Sequence, residues 1–430
     1  MTARATLPSC LTPEAGPADG HCWPTSEQTL LLRAALSEDS LAREAWDLWQ
    51  RTADLDRIDH GSYRLLPLLY HRWVVRAGQA SGQDPLLRRL KGVYLKTWYW
   101  NHVRFHRARR PLEALAAAGI PTVLLKGMAL ALTAYEGPGL RPMEDIDILV
   151  RERDLGRAIG VFRELGWSAP FPRLHRIAWL RDHAVDVRDT DGFAIDLHWR
   201  LIGGGPATDV SRAVWKRLEP LVFEGVPTHT LGATDQFFHV CVHGLKWSRI
   251  PPWRWAADTL VLLRHSGARM DWSLLRELAA RHHFVIVLRE ALKYLRGVRE
   301  AAVPSDVLET FERMPAGRID RMRYLARVNP PRDYAIHPVW GSLPEMLRQY
   351  GRETREWPAL ERWTGFPVYW QVSWGADDLW ELPLIIASRV YWRFRRILRR
   401  ALPRITGRSS AAQKRACSDK MGPSGQEGGG

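Results

Sequence analysis

The segment between residues 124 and 150 constrains the fold most, because two carboxylates interrupt a run that is otherwise apolar. The run reads "EDIDILV" and places Asp145 and Asp147 two positions apart. Alternate side chains of a strand point to the same face, so a strand here would set the two carboxylates side by side, roughly 7 Å apart. Two like charges at that separation are costly unless a cation or a proton lies between them. The segment therefore predicts a strand that carries a cation-binding pair of acids.

Around this strand, short apolar runs alternate with helical patterns. The run "IPTVLL" before it predicts another strand, and "KGMALALTAYEG" and "ERDLGRAIGVFRELG" predict helices on either side of it. The stretch "HAVDVRDTDGFAIDLHWRL" is typical of two strands joined by the turn "DTDG". Strand, helix, strand, helix and hairpin in this order predict an α/β or α+β architecture.

The remainder of the chain separates into helical regions and tails. Apolar residues recur at three and four positions before residue 118, which predicts helices, and from about residue 210 the chain again has a helical pattern. Both ends are rich in small and polar residues without periodicity. We predict a disordered tail over 1–25, a helical region over 26–118, the core over 119–204, a helical region over 205–406 and a disordered tail over 407–430.

The predicted hairpin supplies a third acid. In "FAIDLHW" the alternation puts Asp196 and His198 on one face, so Asp196 can project from a strand beside that of Asp145 and Asp147. Three carboxylates on adjacent strands form a hard oxygen site suited to Mg²⁺. Two such ions, about 3.5 to 4 Å apart, would clamp the attacking and leaving oxygens of a phosphoryl displacement. Asp145 and Asp147 would hold both ions, and Asp196 the one that activates an acceptor hydroxyl.

A Lys-Gly turn precedes the acids and fits the same chemistry. Gly127 lies between a strand and a helix, where free N–H groups of the first helical turn favour an approaching phosphate. Lys126 and Arg141 would add positive charge to the phosphates. The structural alternative is that Asp145 pairs with Arg141 while Asp147 caps a loop.

The order "LLKG", "RPMEDIDILV" and "IDLHW" resembles an uncharacterised bacterial nucleotidyltransferase-like family of the DNA polymerase β-type nucleotidyltransferase superfamily. The resemblance covers about residues 105 to 265. The superfamily has a glycine turn, an acid-x-acid strand and a third acid on a later strand, here at Gly127, Asp145 with Asp147, and Asp196. Members commonly have Gly-Gly or Gly-Ser at the turn, whereas this chain has Lys126-Gly127.

This resemblance implies an α+β nucleotidyltransferase-type mixed β-sheet core with helical regions before and after it. It implies Mg²⁺-dependent transfer of a nucleoside monophosphate from an NTP such as ATP to a hydroxyl or phosphate acceptor, with release of pyrophosphate. A small metabolite or a peptide natural product would be the acceptor. Because the turn departs from the pattern, the alternative is a nucleotide-binding or interaction protein that kept the fold and lost catalysis.

Four further residues have both a functional and a structural interpretation. His198 would contact the substrate or support a metal ligand, and Lys246 would face the nucleotide or lie in solvent as a surface lysine. His239 and His243 are four apart on a predicted helix, a spacing that allows both to bind zinc. Their apolar surroundings favour packed, hydrogen-bonded histidines instead, and the sequence offers no evident third ligand.

The composition limits the partners and the compartment. The formal net charge of +15 favours polyanions: nucleotides, nucleic acid or an anionic lipid surface. The four cysteines form no CxxC pair and no long apolar segment is present, which predicts a soluble protein of a reducing cytoplasm. The 21 tryptophans favour core packing over the stacking of single-stranded bases, so nucleic acid is the less favoured partner.

The segment over 385–405 mixes arginines with aromatic and aliphatic residues, as in "ASRVYWRFRRILRR". Such a helix would lie on an anionic membrane surface as a peripheral contact. Alternatively it would dock on the nucleotidyltransferase core and cover it. Both interpretations stay open from the sequence.

Overall fold

The computed structural model describes most of the first 329 residues and parts of the remainder. The described residues are 22–37, 40–79, 84–168, 183–202, 212–248, 254–299, 302–329, 347, 350–351, 354–355, 357–374, 379, 383, 387, 391 and 395. They belong to two compact units, Met1–Tyr334 and Ala335–Gly430. Apart from residues 22–25, the predicted tails lie outside the described residues, as does most of the segment over 385–405. No helix among the described residues is long and apolar enough to cross a membrane.

The N-terminal part of the first unit is helical, as predicted. Its elements are α1 (Ser26–Leu36), α2 (Ser40–Thr52), α3 (His60–Tyr63), α4 (Leu66–Tyr70), a π-helix (His71–Arg76) and the long α5 (Pro85–Ala117). Thr25 caps α1 through a reciprocal capping box with Gln28. The apolar side of α1 then packs on the C-terminal helices, where Thr29 and Tyr294 share a buried hydrogen bond of 2.9 Å.

A mixed six-stranded sheet follows, in the order β3-β4-β2-β1-β6-β5. Its strands are β1 (Val123–Leu124), β2 (Ile146–Leu149), β3 (Ala184–Arg188), β4 (Ala194–His198), β5 (Leu218–Phe223) and β6 (Val226–Leu231). The central β1 pairs antiparallel with β2 and parallel with β6, and β2 pairs parallel with β4. Helices α6 (Lys126–Thr133) and α7 (Leu155–Glu164) connect the strands. The α+β prediction with a mixed sheet is therefore confirmed.

The hairpin of β5 and β6 corrects the interpretation of the chain from about residue 210 as helical. Two prolines, Pro220 and Pro227, argue against strands in a sequence pattern. Pro220 is tolerated because β5 is an edge strand, where the backbone N–H and C=O groups along one side have no partner strand. The turn itself is Glu224-Gly225, with φ of +49° and +84°, and glutamate at a left-handed position is not a usual turn signal.

Helices resume after the sheet and complete the first unit. They are α8 (Ala233–Gly244), α9 (Arg254–Ser266), α10 (Trp272–Arg281), α11 (Val285–Val298), α12 (Ser305–Arg313) and α13 (Arg318–Val328). A side chain at Gly244 would overlap the Trp255 ring, so glycine lets the end of α8 approach α9 closely. In the second unit, α14 (Ala359–Trp374) packs Phe366 and Tyr369 against Tyr350.

The two faces of the sheet have different chemistry, which follows from strand alternation. Ile146, Ile148, Ile195 and Leu197 are fully buried in one apolar cluster with α5 and α7. The alternate residues of β2 and β4 therefore point to the opposite face. That face carries the acidic residues that the sequence singled out.

Candidate active site

Strand register brings the predicted acids of β2 and β4 together. Asp147 and Asp196 are direct partners in the parallel pair of strands. His198, two residues beyond Asp196, lies on the same face and is completely buried. Its Nε2 is 2.9 Å from Asp196 Oδ2 and 3.0 Å from Asp147 Oδ1. The imidazole thus bridges two carboxylates on neighbouring strands.

Asp147, Asp196 and His198 can converge on one cation. One ligand atom from each lies within 4.8 Å of the others, and within the described part of the chain no other three acidic, histidine or cysteine residues do so. Carboxylates suit Mg²⁺ and Mn²⁺, and imidazole suits the transition metals among the divalent ions. The donor set therefore fits a divalent cation, with a nitrogen where the sequence predicted only oxygen.

Asp145 stands at the margin of this cluster rather than inside it. The residue lies just before β2, is exposed, and lines a pocket that Asp147 also lines. Crowding of protein atoms around its carboxyl group, followed by the charge of Asp147, raises the pKa of Asp145. Both causes disfavour the charged form of the Asp145 carboxyl group. The role of Asp145 as a metal ligand stays a prediction.

The backbone conformation of Lys126 directs its side chain toward the acids. It opens α6 in the left-handed region, with φ of +44°, a conformation that costs a residue with a Cβ about 1 to 2 kcal/mol. Its Nζ lies 2.5 Å from Asp147 Oδ1, 3.5 Å from His198 Nε2 and 4.0 Å from Asp196 Oδ2. Strain of this kind concentrates at functional sites. The lysine thus puts a positive charge at the centre of the cluster.

The charges of the cluster shift one another's protonation. Burial alone would raise the pKa of Asp147, but Lys126 and His198 together hold it well below its usual range. Burial would lower the pKa of His198, but hydrogen bonds to Asp147 and Asp196 raise it. Burial and the neighbouring His198 lower the pKa of His183 to about 4, and the two rings are 5.3 Å apart. At neutral pH Asp147 is ionised and His183 is uncharged.

Gly127 is required by packing at the position where the sequence suggested an approaching phosphate. A Cβ there would overlap the Arg141 guanidinium and come within 2.8 Å of the Met143 sulfur. Alanine at this position would push Arg141 away from the start of α6. A phosphate contact for Gly127 through its backbone stays a prediction.

Arg141 is held by a buried carboxylate and not by Asp145. Its Nε and Nη2 donate to the two oxygens of Asp258 on α9, each at 2.8 Å. Tyr135 donates its hydroxyl to the same carboxylate at 2.8 Å. The alternative in which Asp145 pairs with Arg141 is therefore wrong, and Asp147 lies in β2 rather than capping a loop. Arg141 and Asp258 both line the pocket, so their ion pair forms part of its wall.

The pocket beside the acids has a volume of about 160 Å³. Besides Lys126, Arg141 and the acids, it is lined by two arginines that the sequence analysis missed, Arg64 and Arg254. Burial, followed by the charge of Arg141, lowers the pKa of Arg254 to about 10. Its Nη1 donates to the Pro142 carbonyl at 2.7 Å. In the sequence, Arg254 could have been recognised as a pocket residue because it lies four residues before Asp258 on one predicted helix. No neighbouring pattern indicates a functional role for Arg64.

The remaining candidates lie outside the cluster. Lys246 is exposed in the turn after α8 and does not line the pocket. His239 and His243 pack ring against ring at 5.8 Å, and among the described residues no third ligand joins them. Burial, followed by the charge of Lys126, lowers the pKa of His239 to about 3, so this histidine is neutral. The two rings are packed as predicted, but neither nitrogen of the buried His239 has a hydrogen-bond partner among the described residues, so the predicted hydrogen bonds are missing there.

Comparison with known proteins gives one family match and several remote structural similarities. A family described as uncharacterised nucleotidyltransferase matches residues 61–298, which contain all six strands. No curated protein matches the chain. Among solved structures, the antibiotic-resistance factor ANT(2'')-Ia in solution is 15% identical with a TM-score of 0.28, covering 43% of this chain and 98% of its own.

Two further solved structures are similar at the same level. ANT(2'')-Ia in complex with adenylyl-2''-tobramycin is 15% identical with a TM-score of 0.30, covering 42% of this chain and 96% of its own. An antigenic nucleotidyltransferase-like protein from Paracoccidioides brasiliensis is 13% identical with a TM-score of 0.30, covering 49% and 91%.

Proposed function

Because the chain belongs to the uncharacterised nucleotidyltransferase family, we propose that it transfers a nucleoside monophosphate from an NTP, with ATP as the first candidate, to a hydroxyl or phosphate acceptor. The acceptor oxygen forms a bond to the α-phosphorus, the bond from that phosphorus to the bridging oxygen breaks, and pyrophosphate leaves; a hydroxyl acceptor gives its proton to Asp196 or to solvent. The observation that carries the proposal is the pairing of Asp147 with Asp196 on adjacent strands, beside a pocket lined by four cationic side chains. The acid-x-acid strand followed by a third acid also supports membership of the DNA polymerase β-type superfamily.

Asp147 and Asp196 would hold the divalent cation, Mg²⁺ by this proposal, with Asp145 completing the set for a second ion. The donor chemistry fits, since both carboxylates face one point across the strand pair. When bound, such ions stabilise the charge on the attacking and leaving oxygens. In the metal-free protein His198 holds both carboxylates in register through its Nε2 contacts; with a cation bound, the same nitrogen would give up those contacts and serve as a ligand.

Lys126, Arg254 and Arg64 would bind the phosphates in the pocket beside the acids. They line the same space as Asp145 and Asp147, and fixed positive charges there stabilise the charge that develops on the departing pyrophosphate. The first N–H groups of α6 add a partial positive charge at the same end. Arg141 shapes the wall, because its guanidinium packs against Gly127 while Asp258 holds it.

The proposal is tested by isothermal titration with a non-hydrolysable ATP analogue, with and without Mg²⁺, on wild type and Asp147→Asn. We expect metal-dependent binding that weakens at least tenfold in the variant. The matched control is Asp186→Asn, because Asp186 is the β3 partner of Asp196, lies on the same row of the sheet, and is exposed and paired with Arg188. Equal binding by wild type and Asp147→Asn would contradict the assignment of the nucleotide to this site.

A second candidate, a nucleotide-binding protein without catalysis, is favoured by one observation. Lys126 contacts Asp147, the carboxylate that the transfer reaction needs for its cation. If Lys126 stays there, the analogue binds without Mg²⁺ and no pyrophosphate is released with any acceptor. Pyrophosphate release that Asp147→Asn abolishes and Asp186→Asn retains would support transfer over this candidate.

A further inference from the structure

The outer face of α5 carries a group of large rings that the core does not bury. In the segment "TWYW", the exposed fractions of Trp98, Tyr99 and Trp100 are 43%, 56% and 47%. The rings of Trp98 and His102, one turn apart, lie 4.0 Å from each other, and those of Tyr99 and Trp100 lie 5.5 Å apart. The core packing that the composition predicts for tryptophans therefore does not extend to this segment. Exposed aromatic surface of this kind often marks a binding site.

Contacts on the opposite side of the helix fix the exposure of these rings. Asn101, in the same turn, is buried, and its side-chain amide donates to the Pro138 and Arg141 carbonyls at 2.5 and 2.8 Å. One turn later the buried rings of Phe105 and Phe223 pack edge to face, 5.6 Å apart. Because this side of α5 is anchored to the loop before β2 and to the sheet, the rings over 98–100 are held towards solvent.

The same outer face is positively charged after its ion pairs are counted. The helix contains eight lysines and arginines and one acid, Glu113. Three arginines are paired: Arg89 with Asp56, Arg107 with Asp189 and Asp191, and Arg109 with Glu113. Four exposed cations form no ion pair within the described part of the chain: Arg88, Lys91, Lys96 and Arg110. Asp84 caps the start of the helix, and residues 80–83, which precede it outside the described residues, include no acid in the sequence.

The order of rings and cations along α5 suits a ligand that is both planar and anionic along its length. Arg88 and Arg110 lie about 33 Å apart along the axis at 1.5 Å per residue, and the rings lie between them. In single-stranded nucleic acid, bases stack on aromatic side chains while phosphates contact the flanking cations. The face of α5 offers both kinds of contact on one rigid element.

Arg104 extends this surface to the margin of the active-site pocket. Its guanidinium carbon lies 5.9 Å from the centre of the Trp100 ring. Burial lowers the pKa of Arg104, and the charges of Glu144 and Asp145 oppose that effect. The guanidinium therefore lies between the exposed ring and the acids that precede β2.

We propose that the outer face of α5 binds single-stranded nucleic acid. Bases stack on Trp98 and Tyr99, and the phosphates lie along the unpaired lysines and arginines. A second copy of the chain fits this face less well, because it would bring the same unpaired cations against one another. A membrane surface would need a continuous apolar face, whereas here Lys91 and Lys96 flank the exposed Leu95. The binding requires neither an NTP nor the acids of the active site, so it goes beyond the proposed transfer reaction.

The test is fluorescence anisotropy of a labelled oligo(dT) of about 12 nucleotides with the full chain, in EDTA and without NTP. We expect binding that weakens as the salt concentration rises. Trp98→Ala combined with Tyr99→Ala should weaken it at least tenfold, because two stacking platforms are lost. Trp98→Phe combined with Tyr99→Phe keeps both rings and should stay within about threefold of wild type.

The cations are tested by the salt dependence of the same binding. Lys91→Gln combined with Lys96→Gln should reduce the slope of log affinity against log salt by about 1 to 1.5. The matched control is Arg281→Gln combined with Arg313→Gln. It removes the same charge from exposed pairs with Glu277 and Glu309 on α10 and α12, and should leave the slope unchanged.

The proposal is overturned if the oligonucleotide does not bind, if the double alanine variant keeps wild-type affinity, or if the control arginine variant lowers the slope as much as the lysine variant. Inorganic polyphosphate that competes as well as unlabelled oligo(dT) would overturn it in favour of a polyanion site without stacking. Phosphatidylserine vesicles that bind wild type and not the double alanine variant, with no oligonucleotide binding, would overturn it in favour of a membrane surface.

Lys126→Met distinguishes this surface from the active-site pocket. The variant should keep wild-type affinity for the oligonucleotide, whereas loss of binding would place the strand in the pocket and overturn the proposal. Thermal unfolding of each variant, compared with wild type, establishes that the variants are folded when measured.

Discussion

Two ion pairs meet at the active-site pocket and differ in geometry. Arg141 and Asp258 form two parallel hydrogen bonds of 2.8 Å, and both side chains are about 95% buried, with exposures of 4% and 5%. Lys126 touches Asp147 through one contact, and its side chain is 16% exposed. A guanidinium fork is geometrically committed to its carboxylate, whereas an ammonium is a point charge that can change partners.

The difference in geometry indicates a structural role for the arginine pair and a chemical role for the lysine pair. Arg141 and Asp258 join the loop before β2 to α9, and Tyr135 satisfies a further lone pair of the same carboxylate. Lys126 faces Asp147, Asp196 and His198 at once, so no single partner fixes its position. We infer that the buried arginine pair stabilises the fold, and that the lysine contact is available for substrate charge.

The largest expected effect is the loss of stability on removing Asp258. Asp258→Ala leaves the Arg141 guanidinium buried without its counter-charge, which costs about 3 to 5 kcal/mol in the free energy of unfolding. Urea unfolding followed by tryptophan fluorescence measures it. The control is Glu144→Ala, since Glu144 pairs with Arg64 at the surface and its side chain is 68% exposed, so its loss should cost under about 1 kcal/mol. Equal losses in the two variants would contradict the structural role of the arginine pair.

Lys126→Met should have the opposite profile, with a large effect on activity and a small one on stability. We expect kcat/KM for pyrophosphate release to fall about 100-fold, or roughly 2.7 kcal/mol, because a charge on the phosphates is lost. Stability should change by under about 1 kcal/mol, since His198, whose pKa is raised, can carry the positive charge beside Asp147. A variant with wild-type turnover, or one as unstable as Asp258→Ala, would show that the lysine pair is structural.

Tyr135→Phe tests the third member of the arginine network. It removes a buried hydroxyl that donates to Asp258 and keeps the ring, so it should cost about 1.5 kcal/mol in the free energy of unfolding. The comparison is with Tyr294→Phe, whose hydroxyl bonds a neutral threonine hydroxyl and whose loss should cost about 1 kcal/mol or less. If Tyr135→Phe costs no more than Tyr294→Phe, the hydroxyl is not supporting the ionised Asp258.

The sequence predicted the acidic face of the sheet because that face depends on local alternation. Asp196 and His198 were placed on one face of their strand, and β4 presents both to Asp147. What the alternation could not show is that His198 would reach both carboxylates, because that depends on strand register across a crossover. Register is set by burial of Ile195 and Leu197 against helices far along the chain.

The pairing of Arg141 with Asp258 was not foreseen, for a similar reason. Asp145 is the nearby acid in the sequence, but the close approach of α8 to α9 at Gly244 positions Asp258 instead. A contact between residues 117 positions apart leaves no periodic signal in one sequence. The π-helix is equally invisible, since no residue in "HRWVVR" breaks an ordinary helical pattern.

The smallest expected effect is the pH dependence of metal affinity, and it distinguishes His198 from its neighbour. His198 has a raised pKa in the metal-free protein, so its protonated form contributes stability that is fully present below about pH 6.5 and lost as pH rises through the raised value. A metal at Nε2 needs the neutral ring. The affinity for Mn²⁺ should therefore increase with pH, by at most about tenfold per pH unit, until the pH passes the raised pKa of His198, and then level off.

Isothermal titration with Mn²⁺ between pH 6 and 9 measures this slope. Asp147 adds nothing to it, because its pKa is held well below its usual range and the carboxylate is ionised throughout. His198→Gln should bind more weakly and lose the slope, whereas His183→Gln should keep it, since the pKa of His183 is lowered to about 4 and that ring is neutral over the whole range. A slope that persists in His198→Gln would assign the proton to another group, and would leave His198 as a residue that only positions the two carboxylates.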